Sequence, residues 1–124
     1  MLQLAHKSLE IYTIGKELVT AIYELTERYP KDEKFGLVSQ LRRAVISICS
    51  NLAEGSSRFS RAERKRFYEI ARGSVVEIVT QLDISVLLGY TTKEALLGIE
   101  PKLESVFKML SKMITTLSNN PSNE

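Results

Sequence analysis

The sequence predicts an all-α protein, an up-down-up-down antiparallel four-helix bundle. Three observations lead there. Apolar residues recur at the three- and four-residue spacing of one helix face over most of the 124 residues. No stretch alternates with period two, and no Asn-Gly or Asp-Gly hairpin signal occurs. The breaks between periodic stretches are short, so consecutive helices should lie antiparallel beside one another.

The first helix is expected over about residues 3–29, with Leu4, Ile11, Leu18, Ile22 and Leu25 on one face. Tyr29-Pro30 ends it, because proline pushes the preceding residue out of the helical region. Residues 31–36 form a connector. The second helix is expected over 36–56, with Leu37, Leu41, Ala44, Val45, Ile48 and Leu52 as its core stripe and Gly55 as its stop. Ser60 is positioned to cap the third helix, and Glu63 completes a capping box. That helix extends to about Leu88, with Phe67, Ala71, Ser74, Ile78 and Leu82 facing inward, and Gly89-Tyr90 ends it. Thr91 or Thr92 caps a fourth helix bearing Leu96, Leu97, Leu103, Phe107, Leu110, Ile114 and Leu117. Pro101 should kink that helix or split off its first turn. Residues 1–118 would be the bundle, and 119–124, polar throughout, a disordered tail.

Composition narrows the chemistry. The lone Cys49 has no internal disulfide partner. Its place in an apolar stripe suits a buried thiol. With no secretory leader in MLQLAHKSLEIY, the expected location is a reducing cytosol. No apolar run approaches the ~20 residues of a membrane span, so no membrane partner is expected. His6 is the only histidine, read here as a surface or rim residue, and no Glu-x-x-His pair exists for a di-iron bundle. Neither a metal, a cofactor nor a glycine-rich phosphate loop is indicated. Cys49 has no imidazole near it in sequence, which argues against a thiol nucleophile.

The second helix has more apolar surface than a small bundle would bury. Wound at ~100° per residue, Ile46, Cys49 and Ala53 widen its apolar arc to roughly 200°, about twice what a surface helix needs. A second copy of the chain is the simplest cover, which makes these three residues the candidate oligomer interface. Polar residues flank the stripes: Arg42, Asn51 and Glu54 on the second helix, Ser74 and Glu77 on the third. One reading is a carboxylate site built from Glu54 and Glu77. The other is a structural polar network in which Arg42 and Asn51 satisfy those carboxylates. The network is favoured, because no third catalytic group is at hand. Gly73 and Ser74 are small enough for close helix approach.

Charge is unevenly spread. Residues 1–57 balance seven basic against seven acidic side chains, and residues 73–124 carry an acidic excess. Residues 58–72 carry six Lys or Arg against two Glu. Arg58, Arg61, Arg64, Lys65 and Arg66 crowd the start of the third helix, where the helix dipole already disfavours cations. Phosphate binding, hence RNA or DNA, would explain that arrangement. Phe59, Phe67 and Tyr68 would add stacking surface, although Phe67 fits the interior better. A plain solvated face paired with Glu63 and Glu69 would explain it equally well.

Residues 41–58, LRRAVISICSNLAEGSSR, and 67–90, FYEIARGSVVEIVTQLDISVLLGY, closely resemble the bacterial four-helix-bundle family encoded within intervening sequences of 23S rRNA genes. The stretch YPKDEKFGLVSQ at 29–40 extends the likeness over nearly the whole chain. The resemblance implies a small cytosolic bundle assembled as a homo-pentamer. It also implies kinship with the accessory variability proteins of retroelements, which bind nucleic acid and a reverse transcriptase. The family motif falls on Arg42, Asn51, Glu54, Gly55 and Arg58, then on Ala71, Gly73, Ser74 and Glu77. One departure is Cys49, where the family commonly has proline. The function expected from all this is non-enzymatic: a homo-oligomeric bundle binding RNA or DNA through its basic patch. The alternative is an interaction scaffold that docks an acidic protein partner, such as a reverse transcriptase.

Overall fold

The structure, a computed structural model, describes Leu2 and residues 4–119. Four helices carry the chain: α1 (Glu10–Thr26), α2 (Leu37–Ser56), α3 (Arg61–Leu87) and α4 (Glu100–Asn119). No strand occurs among the described residues. Each helix packs on the next and α1 closes against α4, as an up-down-up-down bundle requires. Asn119 belongs to α4, and the rest of the expected tail lies outside the described residues.

The first helix starts later than its periodicity predicts. A 3-10 turn at Ala5–Ser8 precedes it, and Leu9 takes an extended conformation before α1 begins. His6 lies in that turn. It is buried, not on the rim, with its ring edge-on to Tyr12 at 4.7 Å between centroids. At the other end α1 stops at Thr26 and the chain turns tightly to bury Tyr29.

Helix α2 runs unbroken through Cys49. Gly55 does not stop it but lies within its last turn. Helix α3 ends at Gly89, whose φ of 79° is the left-handed conformation that glycine adopts without strain. Pro101 does not kink α4. It sits in the first turn, where its missing N–H would have had no partner anyway. A 3-10 turn at Glu94–Leu96 is split off ahead of it, and Thr92 Oγ1 caps that turn by accepting from Ala95 N at 3.2 Å.

The core is aliphatic and closed to solvent. Leu18 and Ile22 of α1 meet Leu41, Ile48 and Leu52 of α2, Ile78 of α3, and Leu103 and Leu110 of α4. Each such side chain contributes about 1.5–3 kcal/mol by burial. Helix α3 buries a wide arc, because α2 packs on one side of it and α4 on the other. The side toward α2 uses small or polar residues, including Ser74 and Gln81.

Candidate nucleic-acid interface

The end of α2, the start of α3 and the end of α4 meet at one end of the bundle. Ser60 caps α3 as expected, its Oγ accepting from Glu63 N at 3.3 Å. The aromatic that turns inward is Tyr68, not Phe67. Its ring lies against Gly55 so closely that a Cβ there would stand 2.6 Å from Cε1. Its hydroxyl shares a hydrogen bond with Ser56 Oγ at 3.2 Å. Phe67 is half-buried, with the Arg58 guanidinium stacked 5.1 Å from its centroid. Phe59 is fully exposed.

The five basic residues do not form one cluster. Arg58 is paired with Glu54 at 3.0 Å. Arg61 reaches across to α4, where Nη2 donates to the carbonyls of Thr116 at 3.2 Å and Leu117 at 3.1 Å. These are carbonyls that the end of a helix leaves without partners, so Arg61 acts as a C-terminal cap supplied from another helix. Arg64, Lys65 and Arg66 have no acidic partner within 4.0 Å among the described residues, and the expected pairing with Glu63 and Glu69 does not form. Successive residues lie ~100° apart, so these three fan out around α3. Arg64 turns toward α4 and shares a shallow groove with Lys112, Tyr68, Met113, Thr116 and Leu117. Its Nε is buried with no acceptor. Lys112, also without an acidic partner, is the functional candidate that the local charge count misses. Only the antiparallel return of α4 brings it to this end.

The polar residues beside the stripes separate into three groups. Arg42 faces α1: Nε donates to Thr26 Oγ1 at 2.9 Å, Nη2 to Tyr23 O and Glu27 Oε1 at 3.2 Å each, and the guanidinium covers the Tyr23 ring at 4.4 Å. It therefore locks α1 to α2 and touches neither Glu54 nor Glu77. Asn51 Nδ2 donates to Ser47 O and Oγ at 2.9 Å, and Ser74 Oγ donates to that same Ser47 Oγ at 3.0 Å, tying α2 to α3. Glu77 accepts from Gln81 Nε2 at 3.3 Å, and Gln81 also donates to Gln40 Oε1 at 2.9 Å. Glu77 lines a polar groove of about 370 Å³ with Arg43, Ser47 and Ser74, but Glu54 is not part of it. The two carboxylates thus share no cleft. Gly73 is exposed and mediates no close approach, for a Cβ there would meet nothing within 4 Å.

The candidate oligomer residues also part company. Ile46 is 43% exposed and Ala53 half-buried. Cys49 instead packs toward α1, its Sγ only 3.0 Å from where a Cβ on Gly15 would stand. Burial pushes its thiol pKa up, and Lys16 offsets this only in part. Much of the apparent surplus on α2 is therefore covered within the chain.

Among the described residues no group of three His, Cys, Asp or Glu is placed to hold a metal ion. No helix is long and apolar enough to cross a membrane.

Comparison with known proteins adds to this geometry. The family model described as 23S rRNA-intervening sequence protein matches residues 7–112. A solved structure from Bacteroides thetaiotaomicron VPI-5482, a protein with unknown function from the S23 ribosomal protein family, superposes with a TM-score of 0.74. The two are 22% identical, and the match covers 84% of this chain and 97% of that one. This likeness speaks to the fold alone. No curated protein matches the chain.

Proposed function

The chain belongs to the 23S rRNA-intervening sequence protein family, and from that premise we propose a non-enzymatic, self-associating helical module that binds RNA or DNA. The observation that carries this reading is the set of cations at one end of the bundle with no acidic partner within 4.0 Å among the described residues: Arg64, Lys65, Arg66 and Lys112. Cations that no carboxylate neutralises attract a polyanion, and phosphate contacts need no base readout. Arg58, stacked on Phe67, supplies a planar surface beside them. Arg61 serves the fold first, through α4.

The dispersal of the carboxylates supports a non-enzymatic role. Glu54 is held by Arg58 and Glu77 by Gln81, so neither is poised with a second group over a cleft. Self-association rests on Ile46 and Ala53 at the outer edge of α2. A ring of five copies, the assembly that the family resemblance implies, would repeat the basic end and sum its field.

Fluorescence anisotropy with a labelled RNA and a labelled DNA strand, titrated with salt, tests the binding. Affinity should fall linearly on a log-log plot. Lys65→Glu with Arg66→Glu should weaken it about tenfold or more and reduce the slope by about one per lost contact. No measurable affinity at low salt, or affinity indifferent to salt, ends this reading. Light scattering that returns the mass of one chain ends the self-association.

A further inference from the structure

A groove of about 430 Å³ runs between α3 and α4, away from the basic end. Val75, Leu82 and Leu103 form its buried floor. Its walls are Val76 at 51% exposure, Val79 at 45% and the half-open Phe107. Valines on the open wall of a helix leave apolar surface in water.

The rim is charged unequally along its length. Asp83 near the end of α3 and Glu100 at the start of α4 lie at the same end, because the helices are antiparallel. Neither has a cationic partner within 4.0 Å among the described residues. Glu104 is already matched by Lys108 at 2.8 Å. At the far end Arg72 stands 5.9 Å over the Phe107 ring. From Val75 to Asp83 the groove spans ~12 Å, about two turns of a helix.

We infer that this groove docks an amphipathic helix of a partner protein, one whose apolar stripe ends in Lys or Arg where it meets Asp83 and Glu100. Apolar anchors at helical spacing fill such a groove, and cations at the rim fix the orientation. A nucleic acid would bring phosphates to two unpaired carboxylates, so this surface and the basic end select different ligands. The inference extends the interaction role from polyanions to a cationic helix.

Two synthetic peptides test it, each a four-turn helix with leucines at i, i+4 and i+7. One carries lysines on the flanks and its twin carries glutamates. Binding is read by fluorescence anisotropy on the full chain. The lysine peptide should bind at least about tenfold more tightly than its twin. Asp83→Lys with Glu100→Lys should reverse that preference. Val79→Asp should abolish binding of the lysine peptide while the far-ultraviolet circular dichroism stays helical. Equal binding of the twins, no binding of either, or a preference that survives the charge reversal overturns the inference. So does a drop in assembled mass for Val79→Asp in light scattering, since a second copy would then be the occupant.

Discussion

Tyr90 Oη donates to Glu33 Oε2 at 2.8 Å, while Oε1 of the same carboxylate accepts from Leu37 N at 3.2 Å. One side chain thus joins the loop between α3 and α4 to the first turn of α2. Tyr29 and Tyr90 lie against each other beside it, 5.6 Å between centroids. The residues concerned come from two separate parts of the sequence, 29–37 and the turn at Tyr90, and together they close the end of the bundle opposite the arginines.

Glu33→Ala removes both bonds and leaves the first turn of α2 without its side-chain acceptor. A loss of about 1 kcal/mol is expected, typical of a missing helix cap. Tyr90→Phe should lower stability less, because Leu37 keeps its acceptor. The double variant should cost less than the two singles added, since they share one interaction. Urea unfolding of the four proteins measures all of this.

Alkaline pH should weaken the same end. The hydrogen bond to Glu33 raises the Tyr90 pKa, and burial raises that of Tyr29. Both phenols therefore keep their protons in the fold at a pH where the unfolded chain, near the ordinary value of about 10, has begun to lose them. Their contribution is complete below about pH 10 and is lost as pH rises through the native values. The urea midpoint should fall above pH ~10, and Tyr29→Phe with Tyr90→Phe should flatten that fall.

Two glycines should respond in opposite directions to alanine. At Gly55 a Cβ would collide with the Tyr68 ring at 2.6 and 2.9 Å. Gly55→Ala must displace that ring, with an expected cost of about 1–3 kcal/mol. At Gly73 the space is open and the backbone helical. Gly73→Ala should stabilise by about 0.5–1 kcal/mol, since alanine loses less backbone entropy in a helix. Thermal unfolding of the two variants gives both signs.

Cys49 should be a slow nucleophile. Burial favours its neutral thiol, and Sγ is tucked toward Gly15. Labelling with iodoacetamide at neutral pH should be well below that of an exposed cysteine peptide and should rise on addition of urea. Equal labelling rates with and without urea would place the thiol at the surface.

Arg61 and Arg66 offer a contrast within the first two turns of α3. Arg61→Ala should lower stability by about 1 kcal/mol, because it uncaps two carbonyls of α4. Arg66→Ala should leave the urea midpoint unchanged and weaken polyanion binding.

The existence of four helices is legible in the sequence, because the apolar spacing of α2 and α4 has one period and Gly89 marks a break, whereas Pro101 allows either a kink or a split-off turn and the structure takes the second. Side-chain destinations that depend on a second helix are not legible there. Phe67 and Tyr68 are neighbours ~100° apart, and the choice between them is made by the missing side chain at Gly55. Arg61 reads as a free cation until the end of α4 is placed beside it. The arc widened by Cys49 reads as a surplus when set against the ~100° that a surface helix usually needs. In a bundle each helix has two neighbours, and α1 takes up that side. His6, expected at the surface or rim, lies in the 3-10 turn ahead of α1 that apolar periodicity does not register, and is buried there against Tyr12.

The bond from Arg61 to the last turn of α4 gives the bundle a latch at the edge of the proposed polyanion surface. A phosphate that draws this guanidinium away must unfasten the carbonyls of Thr116 and Leu117. Ligand occupancy and fraying of the final helical turn then share one free energy, so a tightly held strand would be reported by faster amide exchange at 116–119.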